Sequence, residues 1–222
     1  MNNSVGNTAR LLGAGLRALL VLTVLTGVLY PLAVTGLAQG LFPDRANGSE
    51  IRADGKVVGS ELIGQRYDLP LKKGQDTPEP DLRWFQPRPS NGLAGNTVNT
   101  RYRLLVSGAT NRSGDNKELI KWVEDAKAAV VRDNSVAGHR VRPQDVPADA
   151  VTSSGSGLDP HISPAYAKLQ AHRVATVNRL PVARVEKLVE QHTEGRTLGF
   201  MGEPRVNVLL LNVALRELTH RG

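Results

Sequence analysis

A short stretch at residues 153–163 combines serines, glycines, an aspartate and a histidine. The serine, aspartate and histidine side chains can react or bind ligands, and the glycines can expose backbone N–H groups. Such a set could provide a nucleophile with its base, a group of metal ligands, or a loop whose backbone N–H groups bind an anion. The candidate site residues in this stretch are Ser154, Gly155, Ser156, Gly157, Asp159 and His161.

The spacing argues against a catalytic or metal site. Ser156, Asp159 and His161 lie too close together for an easy Ser-His-Asp triad, whose members normally come from separate elements, and the G-x-S-x-G elbow is missing. A metal site could use Asp159, His161 and His172, but no HExxH or comparable pattern supports it. We therefore predict no catalytic residue and no metal ligand.

The phosphate-binding interpretation is only slightly better supported. Glycines and serines ahead of a helix can present backbone N–H groups to an anion. However, neither G-x-x-x-x-G-K-[ST] nor a G-x-G-x-x-G after a strand is present.

The same residues also fit a purely structural role. Asp159-Pro160 and Ser163-Pro164 each combine a good N-cap with a proline suited to the first helical position. The helix that follows would carry a narrow face of small residues suited to close packing, formed by Ala167, Gln170, Ala171, Val174 and Val177.

Other patterns predict the elements that must position this loop. Helices are expected at 117–132, with a capping box of Asp115 and Glu118, at 182–192, with His192 on its apolar face, and from about 206 to 218. Asp54-Gly55 predicts a β-hairpin. Within an irregular segment at 65–95, Trp84, Phe85 and Arg88 are predicted to anchor the loop.

Residues 18–42 carry no charged side chain and exceed the ~20 helical residues that cross a bilayer core. A cleavable signal peptide ending near residues 36–38 is the alternative, but its apolar region would be only ~7–15 residues long. We predict a cytoplasmic tail at 1–17, a membrane helix at 18–42, and one compact extracytoplasmic α+β domain at 43–222. The protein would then be a single-pass protein of the cell membrane.

Composition limits the possible partners and bonds. The net charge is +7 over 222 residues, but the basic side chains are scattered among acidic ones, which argues against nucleic-acid binding. The absence of cysteine excludes disulfides and thiolate metal sites.

Four blocks of the sequence resemble the C-subunit family of the Kdp potassium-transporting P-type ATPases. They are GSELIGQ at 59–65, WFQPRPS at 84–90, VTSSGSGLDPHISP at 151–164 and LGFMGEPRVNVL at 198–209. The third is long and unusual, and the hydrophobic N-terminal span fits the family as well. The stretch at 66–83 is longer than the family's usual link between the first two blocks, and residues 96–117 match the family loosely.

The resemblance implies a non-catalytic accessory subunit of a potassium importer driven by ATP. It implies a potassium-selective channel-like partner, a P-type ATPase partner, and a "catalytic chaperone" role that raises the catalytic subunit's affinity for ATP. ATP is implied by this family description alone, and on it residues 154–157, Asp159 and His161 are candidates for contact with a partner or nucleotide.

The chain itself lacks the phosphorylation motif of the pump. It could instead cap the outer potassium entrance. The alternatives are a membrane-anchored serine hydrolase using Ser156 and His161, or an extracytoplasmic binding module.

Overall fold

A computed structural model describes residues 3–75, 78–90, 107–108 and 111–220. The chain divides into two compact units, Met1–Ser49 and Glu50–Gly222, which we call the anchor unit and the head. Helices and short strands occur together, so the class is mixed helix and sheet, as predicted.

The anchor unit is a nearly continuous helix. Helix α1 (Asn3–Val24) leads through a π turn (Leu25–Leu29) into α2 (Tyr30–Leu41), and a short α3 (Pro43–Ala46) follows. Because Pro31 has no N–H to donate, the π turn before it accommodates the missing bond.

The described anchor helix is long and apolar enough to cross a membrane, and it is the single such candidate among the described residues. Its 38 residues, Ser4–Leu41, measure roughly 57 Å at 1.5 Å per residue, about twice a hydrocarbon core. The predicted tail at 1–17 therefore largely continues the helix.

The predicted hairpin is confirmed. Strands β1 (Glu50–Ala53) and β2 (Lys56–Ser60) pair antiparallel. Asp54 and Gly55 both have positive φ, at 50° and 74°, which is the geometry of a tight two-residue hairpin turn.

A second, three-stranded sheet is built from very short strands. Strands β3 (His161–Ile162), β4 (Thr193–Glu194) and β5 (Arg205–Asn207) pair antiparallel in the order β3-β5-β4. This sheet has no counterpart among the predictions. Val206, which we expected to begin the last helix, lies in β5 instead.

The four predicted helices in the head are confirmed with shifted ends. They are α4 (Lys117–Asn134), α5 (Pro164–Asn178), α6 (Val182–Gln191) and α7 (Val208–His220). The predicted capping box of α4 is wrong. Its N-cap is Asn116, whose side chain accepts hydrogen bonds from the N–H groups of Glu118 and Leu119.

Helix α5 is the centre of the core. Ala167, Gln170, Ala171 and Val174 are fully buried, as predicted for the packing face, whereas Val177 is 43% exposed, so its inclusion in that face was wrong. α5 packs against α6 and α4. Tyr67 and Phe85 supply buried aromatic rings from the irregular segment.

Candidate functional site

The loop at residues 151–160 lies between a 3₁₀ turn (Ala148–Ala150) and strand β3. Strand β3 fixes the end of the loop through its pairing with β5, and the N–H of Val208 donates to the carbonyl of Pro160 at 3.0 Å. Sheet pairing and the start of α7 together hold this end of the loop.

The exit of the loop is capped as predicted. The Ser163 hydroxyl accepts a hydrogen bond from the N–H of Tyr166 at 3.0 Å, and Pro164 opens α5. Asp149 supports this cap by accepting from the N–H and the hydroxyl of Ser163, at 2.7 and 2.9 Å.

Asp159-Pro160, in contrast, starts no helix, so that part of the prediction is wrong. The Asp159 carboxylate accepts the N–H of His161 at 2.9 Å and forms a tight turn into β3. The chain continues from this turn as a strand.

Arg88 attaches the preceding segment to this loop. Its guanidinium donates to the carbonyls of Thr152 and Ser153 and to the carboxylate of Asp159, each at 3.3 Å. Both partners of the ion pair are mostly buried, with 25% and 30% of their side chains exposed. Arg88 therefore stabilises the shape of the loop, and its guanidinium is already bonded within the head.

Asp159 is held ionised by its surroundings. Burial acts to raise the pKa of its carboxyl, but hydrogen bonds from His161 and the positive charges nearby outweigh burial, and the pKa lies below its usual range. The His161 Nδ1 atom lies 3.3 Å from an oxygen of this carboxylate. Asp159 can thus orient His161, and it also forms the ion pair with Arg88.

The glycines of the loop differ in what they require. Gly157 has φ +69°, and a Cβ there would lie 2.8 Å from the carbonyl oxygen of Gly108. Gly155 has open space around it and tolerates a side chain. Close packing and the positive φ therefore explain why residue 157 is a glycine, but they do not explain the glycine at position 155.

Several backbone groups of the loop are already bonded. The N–H groups of Gly157, Leu158 and His161 donate within the loop. The carbonyl of Ser156 accepts from Gly108 and Ser107, both at 2.9 Å. These three N–H groups are thus engaged and not free to cradle an anion.

The structure does not bring the hydrolase residues together. The Ser156 hydroxyl lies near that of Ser154 at 3.4 Å and accepts the N–H of Leu158, and within the described ranges no hydrogen bond joins it to His161. His172, a conceivable metal ligand, stacks on His139 with ring centroids 3.6 Å apart. Among the described residues no cluster of three or more His, Asp or Glu could hold a metal.

A cleft of about 570 Å³ borders the loop and contains its charged residues. Arg88 and Asp159 pair with each other, Arg205 pairs with Glu194, and Glu203 pairs with Arg196. Since these charges already have partners, the cleft offers a fixed polar surface.

The segment at 84–90, which contains the predicted loop anchors Trp84, Phe85 and Arg88, is held by side-chain amides that the sequence analysis missed. Asn212 on α7 accepts the N–H of Phe85 and donates to its carbonyl, both at 2.9 Å. Gln170 on α5 does the same for Gln86, at 2.7 and 3.1 Å. These two bonded pairs replace the neighbouring strand that such a segment would otherwise need.

The sequence feature that could have identified these two amides is a polar residue within a run of apolar or small residues on a helix. Asn212 interrupts the run VNVLLLNVAL, and Gln170 lies among small residues on α5. A buried amide at such a position needs a bonding partner, although the sequence does not say which backbone provides it.

The four blocks of sequence that carry the family resemblance meet in space. Asn207 donates to the carbonyl of Glu61, the N–H of Gly64 donates to Leu158, and the Ser90 hydroxyl donates to Gly157. A Cβ at Gly59 would collide with the side chains of Gln65 and Leu209 unless they moved, so the glycine allows these segments to pack closely. The blocks therefore specify how distant segments of the head join.

Comparisons with known proteins match the chain to one family. The model of the family described as K+-transporting ATPase, c chain (KdpC), matches residues 12–217. A Streptomyces avermitilis protein is 78% identical over 218 residues, 98% of each chain, and a Streptomyces coelicolor protein is 74% identical over 222 residues, 100% of this chain and 99% of its own. A Mycobacterium tuberculosis protein is 43% identical over 203 residues, 91% of this chain and 96% of its own. Each of the three is named a potassium-transporting ATPase KdpC subunit.

Proposed function

Because the chain belongs to the KdpC family of K+-transporting ATPase subunits, we propose that it is a non-catalytic subunit that assembles and stabilises a potassium-importing complex. Its anchor helix at 18–42 would lie among the membrane subunits of that complex. The head would stand outside the cytoplasm, over the potassium entrance of a channel-like partner. A P-type ATPase subunit would carry out ATP hydrolysis.

The observation that carries this proposal is the extent of the family match. Residues 12–217 include both the apolar helix and almost all of the head, so both parts belong to one family architecture. The candidate loop supports a non-catalytic role, because its charged residues hold the loop in place and Ser156 has no bond to His161 within the described ranges.

A head outside the cytoplasm would affect ATP use only indirectly. ATP is cytoplasmic, so we propose that a rise in the ATP affinity of the catalytic subunit comes from conformational linkage, with no nucleotide bound to the head. Such linkage requires that the head contact its partners differently in two states of the transporter.

A detergent pull-down with the tagged full-length chain tests assembly. We expect an ATP-hydrolysing subunit and a polytopic potassium-translocating subunit to be recovered in a fixed ratio. Recovery of the chain alone from cells that express all the subunits would contradict the proposal.

Cysteine accessibility tests the position of the head. The chain has no cysteine, so single variants at Ser153, Gly155 and Ser156, all exposed, give a clean background. We expect a membrane-impermeant maleimide to label them in intact cells, while the control Thr8→Cys reacts only after permeabilisation. Labelling of the loop only after permeabilisation would rule out the capping role.

A further inference from the structure

A group of exposed large apolar side chains lies at the turn between β4 and β5. Leu198, Phe200 and Met201 are 79%, 71% and 48% exposed, and we call these three residues the apolar tip. None of them contributes to the buried core of the head. Exposed apolar side chains that lie next to one another point to an interaction surface more strongly than scattered ones do.

The backbone holds the apolar tip in a defined shape. The N–H of Thr197 donates to the carbonyl of Met201 at 2.8 Å, and the reverse bond measures 2.9 Å. The N–H of Gly199 also donates to the carbonyl of Arg196, at 3.0 Å. A turn fixed in this way presents its side chains without a large ordering cost on binding.

Leu198 has an unfavourable backbone conformation. Its φ of +55° lies in the left-handed region, where glycine is at ease and a branched side chain is strained. Gly199 and Gly202 adopt the same region, at φ +82° and +77°. The Leu198 side chain adds strain and buries little surface against the described part of the head, so a contact with a partner would account for its presence.

The charges around the apolar tip indicate what kind of surface it meets. Arg196 pairs with Glu203 and Arg205 pairs with Glu194, each at 2.9 Å, so these four residues carry no net charge. A loop that inserts into anionic lipid normally carries an excess of basic residues beside its apolar side chains. Neutral pairs around an apolar centre are typical of a protein interface with a polar rim.

We propose that the apolar tip docks into an apolar recess on another protein subunit of the transport complex. This inference rests on the proposed function, because it requires that the chain assemble with partners. It adds a specific contact surface whose flanking residues Glu203 and Arg205 also line the cleft that borders the glycine and serine loop.

Paired variants test the contribution of the apolar tip to assembly. Burial of each side chain should be worth about tenfold in affinity, so L198G/F200S should weaken retention of the complex about a hundredfold. The control L71S removes an apolar side chain that is 58% exposed elsewhere on the head, and it should leave retention unchanged. Equal retention of the double variant and the wild type in titrated detergent washes would overturn the docking proposal.

Photocrosslinking identifies the occupant directly, without depending on how well the double variant folds. A benzophenone amino acid at position 200 of the full chain, irradiated in membranes that contain the assembled complex, should form an adduct with a partner subunit. An adduct with lipid, or no adduct, would overturn docking on protein. If the wild-type chain recovers no partner at all, the proposed function fails as well, whereas an intact complex without an adduct overturns only this inference.

Discussion

Arg173 is a buried charge that holds several segments of the head together. It is 1% exposed, and its guanidinium donates to the side chains of Asn134 and Gln170 and to the carbonyls of Leu82 and Trp84. Burial lowers the pKa of Arg173 to about 10, which still leaves it charged at neutral pH. A charge in this position is tolerated because each of the three guanidinium nitrogens donates at least one hydrogen bond.

Arg173→Met should destabilise the head severely. The change keeps an apolar stem of similar length but leaves several buried acceptors without a donor, so we expect a loss of about 3 kcal/mol or more in the free energy of unfolding. Denaturant unfolding of the solubilised chain, followed by the fluorescence of Trp84 and Trp122, measures it. Arg184→Met, on the exposed side of α6, is the matched control and should stay within ~0.5 kcal/mol of the wild type.

Two buried phenols should make the head sensitive to alkaline pH. Burial raises the pKa of Tyr166 to about 12 and also raises that of Tyr67. The folded head therefore keeps these protons at a pH where the unfolded chain releases them. Their contribution to stability is complete below about pH 10, the pKa of an unfolded tyrosine, and is lost as the pH rises through the folded value.

Tyr166→Phe isolates one of these contributions. Between pH 10 and 11 the wild type should lose ~1 kcal/mol more unfolding free energy than the variant does. Arg173 acts in the opposite direction, because its lowered pKa raises stability over the same range. It is present in both chains, so the difference between them reports Tyr166 together with its electrostatic interaction with Arg173. Identical pH profiles for the two chains would contradict the assignment.

At the scale of elements, the extended segment 84–90 depends on side-chain amides of two helices. Asn212→Leu preserves approximate volume but leaves the buried N–H and carbonyl of Phe85 without partners. We expect a loss of ~2–4 kcal/mol in unfolding free energy, because each unsatisfied buried group costs ~1–3 kcal/mol. Gln191→Leu, at the exposed end of α6, controls for the added apolar surface.

A second measurement separates this mechanism from a packing defect. Hydrogen exchange at the N–H of Phe85 should accelerate in Asn212→Leu, while the N–H of Gln86, still bonded to Gln170, should respond less. Exchange that accelerates equally across α7 would point instead to general loosening of the core.

The elements that repeat over several turns were predictable, and those that depend on distant partners were not. The helices at 117–134 and 182–191 carry enough periodic positions to be recognised, and Asp54-Gly55 specifies its hairpin through local φ preference. Strands of two or three residues, such as His161–Ile162, are too short to show alternation.

The same limit applies to the candidate site. The cap at Ser163 is local and was predicted, whereas the three bonds of Arg88 join residues more than 60 positions apart. Arg173 likewise carries no sequence signal that distinguishes it from an exposed helical arginine. Tertiary contact decides both roles.

At the scale of the whole molecule, Ser156→Ala separates an accessory subunit from a hydrolase. The Ser156 hydroxyl is exposed and bonds only locally among the described residues, so any effect should appear as looser assembly or a severalfold lower potassium uptake. A hydrolase would lose all turnover of ester or peptide substrates. Potassium-limited growth and an ester-hydrolysis assay on the purified chain distinguish these outcomes.

The ion pair between Asp54 and Arg216 joins the first hairpin of the head to its last helix. In the sequence, these two residues lie near the beginning and near the end of the head, which runs from Glu50 to Gly222. A circularly permuted head, opened at an exposed turn and joined across its natural ends by a short linker, should therefore keep its fold. In a head that is not permuted, the anchor could likewise be attached behind α7 instead of ahead of β1, and it would still join the chain close to the same ion pair.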